Sequence, residues 1–148
     1  MARTQEPPAL TRIRRLLFWT LAGGVVGMGL ELLLLGHFES VPQAIPIVLL
    51  AGGVASVAWH AAAPGRATVR TLRLTMALFI ASGAIGVGLH YRGNVEFELE
   101  MYPALSGVEL VGKTLTGATP IFAPGSMVFL GLIGLACVYR HPAVEGDA

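Results

Sequence analysis

Four apolar runs divide this chain, and each is close to the length that crosses a lipid bilayer as a helix. A hydrocarbon core about 30 Å thick takes about 20 helical residues. The runs cover residues 16–36, 41–63, 72–91 and 121–139. The last starts among prolines and is the shortest once Pro124 is discounted. Charge is scarce to match: 13% of residues are Asp, Glu, Lys or Arg, against about 25% in a soluble domain. The pattern predicts an all-α integral membrane protein, a four-transmembrane-helix bundle. It forms a single domain over residues 16–139, with tails 1–15 and 140–148. The first run does not read as a cleaved signal peptide. It is too long for an h-region, Glu31 interrupts it, and no small-x-small site follows.

Direction follows from where the basic residues fall. Arg3, Arg12, Arg14 and Arg15 precede the first run. Arg66, Arg70 and Arg73 lie between the second and third, and Arg140 follows the fourth. Only Arg92 and Lys113 lie in the opposite connections. Both termini are therefore expected in the cytoplasm, with residues 92–120 outside and a bacterial inner (plasma) membrane as the host. Trp19, Trp59, Tyr91, Tyr102 and Tyr139 sit near the run ends, where amphipathic rings prefer the interface. A net charge of +1 gives no general attraction to nucleic acid, and none is expected as a partner. Cys137 is the only cysteine, which excludes an intrachain disulfide and a cysteine-rich metal site.

The outside segment is long for a plain connector. Arg92-Gly93-Asn94 reads as a turn. Residues 95–102, VEFELEMY, then alternate apolar and acidic, with Glu96, Glu98 and Glu100 on one side of an extended segment. A lone strand leaves its backbone groups unpaired, so an irregular extended segment, or one helical turn continuing the third span, is the alternative. Pro103 ends the element. Ser106-Gly-Val-Glu109 matches a capping box opening a short helix to about Thr116. Leu105, Val108, Val111 and Leu115 share one side of it, as in an interfacial helix. The expected cap is thus a short extended segment plus that helix.

Inside the spans, small residues recur: Gly24 and Gly27, Gly52 and Gly53, Gly83 and Gly86, Gly131 and Gly134. They let helices approach closely in lipid. Glu31 is the one acid within a span. It shares a stripe with Gly24 and Gly27 and is expected to point into the bundle. There it would be a proton or cation site, or a hydrogen-bonded strut. His90, Arg92, Ser82 and Ser126 are candidate partners. His37, Glu39 and His90 are weak candidates for a metal site, and His37 with His90 for haem. Metal or haem would need such ligands, and no spacing motif supports either, so no cofactor is predicted.

No nucleophile elbow, HExxH or P-loop is present, and Asp147 is the only aspartate. The expectation is a small non-catalytic membrane subunit that docks into a larger complex. Glu96, Glu98, Glu100 and Tyr102 would be the contact. Membrane lipid and a protein partner or homo-oligomer are the expected associates. The alternative is a proton-coupled transporter or channel using Glu31, or a His-ligated metal or haem protein.

Overall fold

A computed structural model of the chain describes residues 7–145. Among these residues the secondary structure is helical and no strand occurs. In chain order the helices are α1 (Pro8–Leu34), α2 (Val41–Ala62), α3 (Arg66–Met101), α4 (Gly107–Leu115), α5 (Gly125–Cys137) and α6 (Pro142–Glu145). The first three are long and apolar enough to cross a membrane. α5 is apolar too, but its 13 residues span only about 20 Å at 1.5 Å per residue.

Local chemistry sets the ends. Pro8 opens α1, where a missing N–H costs nothing. Gly36, at φ +66°, closes it. The His37 amide donates to the Leu32 carbonyl at 2.9 Å, and the Gly36 amide to Leu33 at 3.1 Å, a Schellman cap. Before α2, the Ser40 amide donates to Gln43 Oε1 at 3.1 Å. The α2–α3 turn is pinned by Thr68. Its hydroxyl accepts from the Gly65 amide at 3.0 Å and meets His60 Nδ1 at 2.9 Å.

The helices pack pairwise as α1–α2, α2–α3, α3–α5 and α5–α1, with α4 and α6 on α3. Leu21, Val25, Leu50, Leu72, Met76, Phe79, Met127 and Leu130 form the core between them. Glycine allows two close approaches. A Cβ on Gly131 would lie 2.7 Å from the Met76 carbonyl oxygen, and one on Gly83 2.7 Å from that of Pro124. The α3–α5 crossing therefore rests on backbone meeting backbone, as the small residues predict. Most apolar surface faces outward: 11%, 22% and 22% of the most apolar stretches of α1, α2 and α3 are buried within the chain. In water that exposure would be untenable; against lipid tails it costs nothing.

One expectation is overturned. Residues 95–101 are not extended; they continue α3 without a break. A helix already nucleated adds residues cheaply, and Glu, Leu and Met propagate it well. The Arg92 Nε donates to Glu96 Oε1 at 2.7 Å, one turn on. A strand here would have had no neighbour to pair with. The capping box at Ser106 does not form either, since the Ser106 side chain makes no capping hydrogen bond. Gly107 takes φ +60° at that junction.

Candidate functional site

The last third of α3 carries a polar stripe at four-residue spacing, His90, Asn94 and Glu98. His90 and Asn94 meet the chain returning from α4 to α5. Asn94 is 1% exposed and fastens that return. Its Nδ2 donates to the Thr114 carbonyl at 3.0 Å and the Thr119 carbonyl at 2.8 Å. Its Oδ1 accepts from the Thr119 amide at 3.0 Å. Gly117 gives the amide room, because a Cβ there would sit 2.8 Å from Asn94 Cγ. One turn earlier, His90 Nδ1 lies 3.0 Å from the Pro120 carbonyl. The chain then descends to Pro124, which packs against Gly83 and Gly86.

Residues 116–124 are thus a non-helical segment lying along the apolar length of α3. Its backbone groups lack a helix to satisfy them, and buried unpaired groups are costly. Side chains of α3 supply the partners. At the lower end Ser126 Oγ donates to the Ala123 carbonyl at 2.6 Å. The Gly125, Ser126 and Met127 amides, at the start of α5, donate to the carbonyls of Phe122, Ala123 and Pro124. Among the described residues one buried group is left over: Thr114 Oγ1 has no hydrogen-bond partner.

Helical geometry divides the acidic residues. Glu96 and Glu100, four apart, share the exposed Arg92 face; Glu98 is half-buried on the Asn94 face. Arg92 pairs with Glu96. Tyr102 is 51% exposed. Lys113 Nζ lies 4.1 Å from its ring centroid, a cation–π contact that ties α4 to the end of α3.

Glu31 does not point into the core, contrary to expectation; it is exposed. The inward stripe of α1 is Leu21, Val25, Met28 and Leu32. At 100° per residue Glu31 lies about 80° from Leu21. Gly24 is tight against Leu130, whereas Gly27 has open space around it. The partners considered for Glu31 are largely engaged elsewhere: His90 with Pro120, Arg92 with Glu96, Ser126 with Ala123. His37 and Glu39 lie in the α1–α2 connection. Among the described residues no three His, Cys, Asp or Glu side chains converge on one point.

The other end of the molecule holds features that the sequence reading took only as topology signals. Arg14 of α1 donates to the Cys137 carbonyl at 2.7 Å and the Arg140 carbonyl at 3.2 Å. Arg73 of α3 donates to the Val138 carbonyl at 3.0 Å. Two neighbouring helices thus cap the C-terminus of α5 with guanidinium groups, where cations are favourable. His60 stacks edge-on with His141 at 5.5 Å. Ser56 and Thr75 share a hydrogen bond at 3.1 Å between α2 and α3.

Comparison with protein-family models, curated proteins and solved structures returned no match for this chain.

Proposed function

We propose that this protein is a small non-catalytic subunit of a larger membrane complex, docked through the far end of α3 and α4. In this reading four segments cross the membrane, the fourth as the non-helical residues 116–124 followed by α5. Both termini are cytoplasmic, and the host is a bacterial inner membrane. The observation that carries the reading is the length of α3. Its 36 residues reach about 54 Å, well beyond a core of about 30 Å. Counted from Arg73, about twenty residues bring the helix to the opposite boundary near Gly93. What lies beyond carries Glu96, Glu100 and Tyr102 in exposed positions and is braced by Asn94 and α4. A braced projection costs binding little conformational entropy. Its carboxylates suit a basic partner, adding orientation and on-rate more than raw affinity.

The test is the native size of the gently solubilised, tagged protein, with co-purifying chains identified. The expected result is a defined larger assembly, lost when Glu96, Glu98 and Glu100 are all changed to Gln while membrane insertion persists. Recovery that the triple change leaves intact refutes docking by this surface.

A second reading, proton-coupled transport through Glu31 by an oligomer, is favoured by one observation. Among the described residues Glu31 has no hydrogen-bond or ion-pair partner, and it sits on an exposed face of an apolar helix. A charge buried in lipid costs about 2.5–3.5 kcal/mol on insertion scales, so a second subunit would have to supply its partner. Glu31→Gln should abolish proton-coupled flux in vesicles without lowering expression; unchanged flux excludes it.

A further inference from the structure

We propose that the groove where α3 meets the end of α5 holds the phosphate headgroup of an anionic phospholipid. It is an open recess of about 470 Å³ lined by Arg73, Leu135, Tyr139, Arg140 and Val144. The lining changes character along its length. Arg73, Tyr139 and Arg140 stand at the arginine-rich end, where the apolar run of α3 begins. Leu135 lies one helical turn further along α5, toward the apolar zone. Leu132, half exposed on the same helix, continues that surface. A ligand charged at one end and apolar at the other matches this order; a soluble anion would leave the apolar wall uncovered.

Arg73 is the decisive residue. Its Nη2 is used on the Val138 carbonyl, and among the described residues its Nε and Nη1 make no other bond. A guanidinium with donors to spare matches a phosphate bidentately. Basic pockets between membrane helices on the cytoplasmic side are places where anionic headgroups bind. The turn that closes the groove takes a conformation unfavourable for its residue. Arg140 sits at φ +45°, a region L-residues other than glycine and asparagine seldom adopt. That turn folds α6 back so that Val144 packs against the core and walls the recess. Tyr139 is 69% exposed and amphipathic, as residues at a headgroup level are.

The test is native mass spectrometry of the protein in neutral detergent, with phosphatidylglycerol and phosphatidylcholine of matched chains added in equal amounts. One phosphatidylglycerol should be retained preferentially. Removing an arginine from its headgroup should cost about fivefold in that preference. Arg73→Gln should lower it by this factor, and Val144→Trp, which fills the recess, should abolish it. An Arg12→Gln/Arg15→Gln control, at two arginines of the same end that do not line the groove, should keep it. Because Arg73 also caps α5, Val144→Trp decides the matter where Arg73→Gln does not fold. Equal retention of the two lipids, or a preference that survives Val144→Trp, overturns the proposal. So does full displacement by excess inorganic phosphate, which would make the ligand a free anion. The proposal rests on the membrane placement above but not on a docked partner. The isolated chain in a micelle therefore tests it apart from the subunit reading.

Discussion

Asn94→Ala is the substitution with the most calculable consequence. It removes three hydrogen bonds from a residue that is 1% exposed. A neutral hydrogen bond contributes about 1 kcal/mol net, so about 3 kcal/mol of local stability is at stake. All three bonds join α3 to residues 114–119, so the loss falls on that segment and not on the core around Phe79. Opening of the segment should become about a hundredfold more frequent, since 1.4 kcal/mol is a factor of ten. The assay is amide hydrogen exchange across residues 114–120 in detergent or nanodiscs. The Thr119 amide, which donates to Asn94 Oδ1, is the reporter. Asn94→Asp should do nearly as much damage, because it keeps the acceptor but turns a carboxylate toward two carbonyls. Glu98→Gln, on the same stripe but outside these bonds, should leave Thr119 protected. Unchanged exchange in Asn94→Ala would refute the view that this side chain holds the segment, and with it the braced projection.

Other outcomes follow from the same geometry. Gly131→Ala should lower thermal stability in detergent by about 1–3 kcal/mol, the usual cost of overpacking, because its Cβ would meet the Met76 backbone oxygen at 2.7 Å. Gly23→Ala, with open space around it, should be neutral or slightly stabilising by the same melt. Arg14→Lys should separate two roles of one residue. A compact ammonium cannot span the Cys137 and Arg140 carbonyls, so stability should fall by about 1.5–3 kcal/mol, the worth of a charged hydrogen bond. Orientation read by terminal reporter fusions should stay as it is, since the positive charge remains. Thr68→Val keeps the shape but strips His60 Nδ1 and the Gly65 amide of a partner. A loss of about 1–3 kcal/mol is expected, read by thermal unfolding.

The long apolar helices were legible because they need only length and composition, and α1, α2 and α3 meet both conditions. The glycines were legible in part. Gly24, Gly83, Gly131 and Gly134 do mark close contacts, whereas Gly27 and Gly52 face open space. Periodicity alone could not separate these groups, since it places residues on a face without saying which face is covered. That same gap misplaced Glu31, which shares a side with Gly24 yet lies outside the Leu21–Val25 stripe. The acidic stretch misled for another reason. Alternation over eight residues looks like a strand when read alone, but it follows a long helix with no proline before Pro103, and the Gly93-Asn94 pair does not interrupt that helix. The stronger signal was His90, Asn94 and Glu98 at helical spacing, which marks a polar face that needs partners. Asparagine suits turns, but the partners of Asn94 lie twenty and twenty-five residues away, beyond the reach of any local rule.

The continuity of α3 has a mechanical meaning. The helix has no proline between Arg66 and Met101, and proline is a usual cause of sharp kinks. It touches α2, α4, α5 and α6. Moving as one rigid body, it would pivot at the glycine crossing with α5. A tilt of about 5° over its length of about 54 Å would displace one end relative to the other by about 5 Å. A partner that gripped the Glu100 end would in that case move the Arg66 end and the α6 turn that packs on this helix.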